Sequence, residues 1–172
     1  MSRSLVLMRH AKSSWDNPNL VDHDRPLNRR GRASAAAMGD WLRTVGHLPD
    51  HAVCSNATRA GQTFLGLGLT CPVTYTRALY HAGPDEMMDV LHAQTAPAVL
   101  MVGHNPGIAE FADLLVQRAP EHARFVDYPT CATAVIHWDV DDWRALGWHA
   151  GTVMHFTVPR EVMGGHTNQA GP

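Results

Sequence analysis

A single-domain, layered α/β sandwich is the fold class this sequence predicts, with a mostly parallel central sheet, an antiparallel edge and helices on both faces. Three observations point to it. Short apolar runs alternate with stretches of helical period along most of the chain, the pattern of a sheet covered on both sides. Two of those runs, Leu5–Met8 and Ala98–Val102, are continuously apolar, as expected of strands buried on both faces. The last third carries two more strand-like segments, Thr133–Trp138 and Thr152–Val158, across an Asp-Asp-Trp turn region, and these are expected at the sheet's edge with an antiparallel pair.

Leu5–Met8 is the first strand. A polar stretch rich in Asp, Asn and Pro follows from Lys12 to Leu27, a loop of a length that is uncommon unless functional. From Asn28 to Val45 the pattern is helical, with Ala37, Met38, Trp41, Leu42 and Val45 on one face. Asn28 fits the N-cap and Gly46 the stop. His51–Cys54 is a second, short strand and Thr58–Leu67 a second helix. Val73–Thr76 is a third strand, and Pro84 opens a helix to Ala93 whose Met87, Met88 and Leu91 face the core. The run Ala98–Val102 is the central strand. The next helix is expected from Asn105, with Pro106 at its first position and Ile108, Phe111, Ala112 and Leu115 repeating at i, i+3, i+4 and i+7. The domain is expected to span residues 1–160. Residues 161–172, rich in Gly, Asn, Gln and Thr without an apolar period, are expected to form a flexible tail.

Composition bounds the function. At 172 residues the chain suffices for one substantial core, and 45% apolar content is that of a globular protein. A formal charge of −2 argues against a dedicated nucleic-acid binder. The three cysteines, Cys54, Cys71 and Cys131, form no C-x-x-C pair and cannot all close in disulfides. Only four consecutive apolar residues precede Arg9, too few for a signal peptide or a membrane span. A monomer in a reducing cytoplasm is the expectation, with no membrane partner.

Three segments carry chemistry, each just past a predicted strand, where open α/β sheets place their sites. Arg9-His10-Ala11-Lys12-Ser13 follows the first strand. Arg59 follows the second, within Ser55-Asn56-Ala57-Thr58-Arg59-Ala60-Gly61-Gln62-Thr63, and Gly103-His104-Asn105-Pro106 follows the central strand. Together they resemble the histidine phosphatase superfamily, and within it the small, SixA-like phosphohistidine phosphatases. The resemblance runs from Leu5 to Gly107, and more weakly to Pro159. Arg9-His10-Ala11 matches the opening Arg-His-Gly or Arg-His-Ala signature, and Ser13 the hydroxyl position after it. Asp24-Arg25-Pro26-Leu27-Asn28 and Gly31 look like the small subgroup's approach to its first helix. One departure matters: where larger members carry an acidic general acid, this chain has Ala78-Leu79-Tyr80-His81-Ala82-Gly83-Pro84, with no carboxylate.

The residue types suit phosphoryl transfer without a metal or cofactor. If the strands ending at Met8 and Val102 are neighbours, His10 and His104 share one crevice. Arg9 and Arg59 would supply planar forks of donors that match phosphate oxygens. Backbone amides at the helix start near Asn105 would add to them. A neutral imidazole can attack phosphorus and split hydrolysis into two transfers. The resemblance implies that His10 is this nucleophile, that Arg9, Arg59 and His104 clamp the phosphate, and that a phosphohistidine-containing protein is the substrate. Ser13 is open between a phosphate ligand and a loop cap. Arg25 and Lys12 are expected as surface charges and Asn105 as a helix cap. Trp15 either lines the mouth or pins the loop.

Rival classes are weaker. The 12 histidines lack zinc spacings, and no G-x-x-x-x-G-K-S/T motif indicates a P-loop nucleotidase. A small-molecule phosphomonoesterase or mutase of the same superfamily is the alternative, though long enclosing insertions are missing. An inactive phosphate-binding module would not need all four pocket residues.

Overall fold

The computed structural model describes residues 1–170, with side chains through Gly164. Six strands, β1 (Arg3–Arg9), β2 (His51–Ser55), β3 (Val73–Thr76), β4 (Ala98–Gly103), β5 (Thr133–Trp138) and β6 (Thr152–Thr157), form one sheet in the order β3-β2-β4-β1-β5-β6. The first four in that order run parallel. β5 lies antiparallel to β1, and β6 antiparallel to β5, so the antiparallel edge falls in the last third as expected. Five helices complete the fold: α1 (Arg29–Val45), α2 (Thr58–Leu67), α3 (Pro84–His92), α4 (Gly107–Leu115) and α5 (Pro159–Ala170).

Strand periodicity sorts the core into two layers. Successive side chains of a strand point to opposite faces. Leu5 and Leu7 of β1 therefore join Val99 and Met101 of β4 in a cluster with Met87, Met88 and Leu91 of α3 and Ile108, Phe111 and Leu115 of α4. Val6 and Met8, one residue out of phase, join Leu100 and Val102 against Ala35, Met38 and Leu42 of α1 and Phe64 and Leu67 of α2. Each large side chain so removed from water contributes about 1.5–3 kcal/mol. Because both faces are covered, β1 and β4 need continuous apolar runs.

Local chemistry fixes the helix ends. Asn28 accepts a hydrogen bond from the Gly31 amide at 2.8 Å, and Gly46 ends α1 in the left-handed region at φ 75°. One expectation needs correction. α4 starts at Gly107, with Pro106 as N-cap rather than first helical residue. The segment from residue 161, expected as a flexible tail, lies in α5 as far as Ala170; its last residues, 171–172, lie outside the described residues. α5 opens on Pro159, whose missing amide costs nothing at a helix start. It is held by Val162 packing on the α1–α2 layer and by Glu161, which accepts from His122 at 2.8 Å. These tertiary contacts supply what its own apolar period lacks. Among the described residues no helix is long and apolar enough to cross a membrane.

Candidate active site

β1 and β4 are hydrogen-bonded neighbours, with Met8 opposite Val102 and Arg9 opposite Gly103. The chain leaves both strands side by side, and the His10 amide still donates to the Gly103 carbonyl at 3.0 Å. The two imidazoles therefore meet, ring centroids 5.0 Å apart. α2 starts just past the carboxyl end of β2, and its second residue, Arg59, comes to the same place, 5% exposed. Ser13 and Arg9 lie beside them. All five predicted site residues line one cavity of about 310 Å3, together with Lys12, Trp15, Arg25, Asn105 and Thr130.

His10 has a defined tautomer. Its Nδ1 lies 2.7 Å from the Ala11 carbonyl oxygen, which only accepts, so Nδ1 carries the hydrogen. Nε2 keeps its lone pair and receives a long hydrogen bond from Arg59 Nε at 3.4 Å. Burial, reinforced by Arg59, Arg9 and Arg25, lowers the pKa of His10 to about 3, against a smaller opposing effect of the Ala11 bond. The ring is neutral at physiological pH, as a nucleophile must be. His104 is likewise lowered to about 3, by burial first and then by His10 and Arg59. Its Nε2 is 2.7 Å from Ser55 Oγ, and its Nδ1 is buried with no partner. A bound dianion would oppose the repulsion from Arg59 and favour a charged ring, with Nδ1 the uncommitted donor.

The four cations lining the cavity, Arg9, Lys12, Arg25 and Arg59, face no lining carboxylate. Arg9 donates through one terminal nitrogen to the Tyr128 carbonyl at 3.3 Å, and its Nε is buried without a partner. Burial and Arg59 lower the pKa of Arg9. Such a set suits a phosphate, whose oxygens would take the unsatisfied donors. Three of the first four α4 amides are committed elsewhere. The Ile108, Ala109 and Glu110 amides already donate to the His104 carbonyl, Asn105 Oδ1 and the Pro106 carbonyl. Asn105 is both cap and cavity residue, and its Nδ2 ties α4 to the Asp127 and Tyr128 carbonyls.

Arg25, expected as a surface charge, is buried, 7% exposed. Its guanidinium donates to Ser13 Oγ at 2.7 Å and to the Ser14 carbonyl at 3.1 Å, and lies 3.6 Å from the centroid of the Trp15 ring. Trp15 thus both lines the mouth and pins the loop. Lys12 is exposed yet also lines the cavity. Asp22 was missed altogether. It sits on a 3-10 turn, Asp22–Asp24, and accepts from Arg59 at 2.9 Å, from Arg25 Nε at 3.2 Å and from the Tyr80 hydroxyl at 2.6 Å. Those bonds, the Tyr80 one foremost, hold its carboxyl well below the usual carboxylate range, so it stays ionised. The only hint in the sequence was an Asp three residues before the buried Arg25.

Other candidates for the chemistry fall away. Glu86 Oε2 accepts from the Gly83 amide at the start of α3, and neither Glu86 nor Asp85 lines the cavity. Burial pushes the Cys54 and Cys131 thiols up to about 12, which leaves no cysteine nucleophile in the floor.

Comparison with known proteins identifies the family. The histidine phosphatase superfamily (branch 1) matches residues 5–81. An uncharacterized protein of Mycobacterium tuberculosis is 35% identical over 156 residues, covering 83% of this chain and 98% of that one. A protein from Nakamurella multipartitia assigned as phosphohistidine phosphatase SixA has a TM-score of 0.73 and 34% identity, over 92% of this chain and 98% of that one. One from Agrobacterium tumefaciens with the same assignment has a TM-score of 0.74 and 26% identity, over 91% and 99%. With these relatives matched along nearly their whole length, the chain belongs to the histidine phosphatase superfamily.

Proposed function

We propose that this protein hydrolyses phosphohistidine displayed on another protein, without a metal, through a phosphoryl group carried on His10. The observation that carries the reading is the lone pair on His10 Nε2, held neutral and aimed into a cavity with four cations and no carboxylate in its lining. Nε2 attacks phosphorus, a P–N bond forms, and the bond to the leaving imidazole breaks. Water then attacks the phosphoryl-His10, releasing phosphate and restoring the lone pair. Arg9, Arg59 and His104 stabilise charge on the equatorial oxygens in both steps. Ser13 orients Arg25 and has a hydroxyl hydrogen left to donate.

The leaving group follows from what lines the site. An alkoxide is strongly basic and needs a placed acid. The one carboxylate near Arg59, Asp22, is held ionised and cannot serve. Imidazole leaves far more readily and can take its proton from solvent. The relatives assigned as phosphohistidine phosphatases support the same substrate class. Side-by-side kinetics test it. A phosphohistidine peptide should be cleaved with much higher kcat/KM than serine phosphate or a sugar phosphate, and an aryl phosphate should be an adequate surrogate. Chelator should leave all rates unchanged. Equal efficiency on an alkyl phosphate, or a rate lost to chelator and restored by a divalent metal, would overturn the reading.

A further inference from the structure

A second groove, of about 240 Å3, opens beside the phosphate cavity and shares Lys12 and Thr130 with it. Arg30, Arg124 and Arg160 join Lys12 in its lining, which holds no carboxylate. The concentration is local, because the whole chain has 14 lysines and arginines against 16 acidic residues. Arg124 is paired with Asp127 at 3.0 Å, whereas Lys12, Arg30 and Arg160 have no carboxylate partner among the described residues. Two of the cations also stand where local energetics disfavour them. Arg30 is in the first turn of α1, which has no acidic residue, and Arg160 is the second residue of α5. The positive end of a helix dipole repels such charges. The groove therefore presents unneutralised positive charge from three separate segments next to the reacting phosphate.

We propose that this groove takes an acidic segment of the phosphoprotein, Asp or Glu side chains lying close to the phosphohistidine. The inference rests on the phosphohistidine-protein reading above. A macromolecular occupant fits the mouth, where Trp15 lines the phosphate cavity yet is 75% exposed, and the same loop also exposes Val21 (64%) and Leu20 (37%). Such apolar groups suit contact with a protein surface better than with a small polyanion. Carboxylates in the groove would sit in a field shaped for anions, raising affinity and encounter rate in a salt-dependent way.

The double variant Arg30→Glu/Arg160→Glu tests this, since both residues are exposed, lie outside the phosphate cavity and would gain a favourable charge at a helix start. Three substrates are compared at 0.15 M salt: an aryl phosphate, a phosphohistidine peptide flanked by Asp and Glu, and the same peptide flanked by Asn and Gln. The acidic peptide should lose about tenfold or more in kcat/KM, chiefly through KM, while the other two change by less than about twofold. Fluorescence anisotropy of the unphosphorylated acidic peptide on wild type and variant separates the two hypotheses. Binding that vanishes in the variant upholds the groove even if no phosphohistidine peptide turns over, which would sink only the substrate reading. No binding to wild type, or an equal loss on all three substrates, would overturn the groove.

Discussion

His10 and His104 stand on backbone that the sheet itself fixes: they follow paired strand ends, and ladder bonds continue through the His10 amide. Asp22 and Arg25, on the wall above them, belong to a loop outside the sheet. That loop is tied by one isolated bridge, Ser13 to Leu27, and by side-chain bonds among Ser13, Asp22, Arg25, Arg59 and Tyr80. The floor is thus positioned by elements that would exist without any phosphate chemistry. The wall is positioned by polar side chains, of which Ser13, Arg25 and Arg59 also line the cavity. Arg59 links the two, with Nε toward His10 and its terminal nitrogens on Asp22. Truncating a floor residue should remove chemistry and spare the architecture, whereas changing the wall should loosen binding.

The largest effect is expected at the floor. His10→Ala should lower turnover by on the order of a thousandfold or more while leaving the melting temperature close to wild type, because the variant loses the proposed nucleophile while the backbone bonds persist. Rapid quench with radiolabelled substrate should find the label on His10 in wild type and none in the variant. Near-normal turnover, or label on another residue, would contradict the assignment.

A smaller loss is expected where floor and wall meet. Arg59→Ala removes charge-assisted bonds typically worth about 1.5–3 kcal/mol each, so vanadate affinity and kcat/KM should fall roughly ten- to a hundredfold. Arg59→Lys should recover only part, since the fork that spans His10 and Asp22 is lost. Asp22→Asn, which disturbs only the wall side of Arg59, should cost less than Arg59→Ala. The reverse ranking would show that the wall, not the floor, organises the phosphate site.

A last effect, of pH on stability, leaves turnover aside. His10 and His104 have folded pKa values near 3, below the ordinary 6.5, so the unfolded chain binds more protons between those values. Unfolding free energy should therefore fall as pH drops from about 6.5 toward 3, by about 1.4 kcal/mol per pH unit for each histidine. The Asp22 carboxyl, held low, titrates only at the bottom of that window or beneath it. His104→Gln should flatten the slope of urea-unfolding free energy against pH between 6.5 and 4 by about one proton. An unchanged slope would mean that His104 is not buried neutral.

This division also explains what could be read in the sequence. β1, β2, β3, β4, β5, β6 and the helices α1, α2 and α3 lie within about two residues of where apolar period and caps put them. Arg9, His10, Arg59 and His104 stood out because each lies at or just past a strand end and, together, they match the family's motifs. Arg25 and Asp22 did not, because a loop without period gives no indication of which charges turn inward. Burial of Arg25 depends on Ser13, Ser14 and Trp15 folding around it. α5 escaped for a related reason: contacts made with distant residues, Glu161 to His122 and Val162 to the α1–α2 layer, sustain a helix of weak period.

The hydrogen bond from His10 Nδ1 to the Ala11 carbonyl has one further consequence. An imidazole can be phosphorylated on either nitrogen, giving two isomers that differ in stability and in recognition by antibodies. With Nδ1 facing an acceptor in the backbone, only the far nitrogen is open to phosphorus. On the proposed mechanism, a phosphoryl group carried on His10 would therefore be the 3-phospho isomer, whichever isomer the substrate presents.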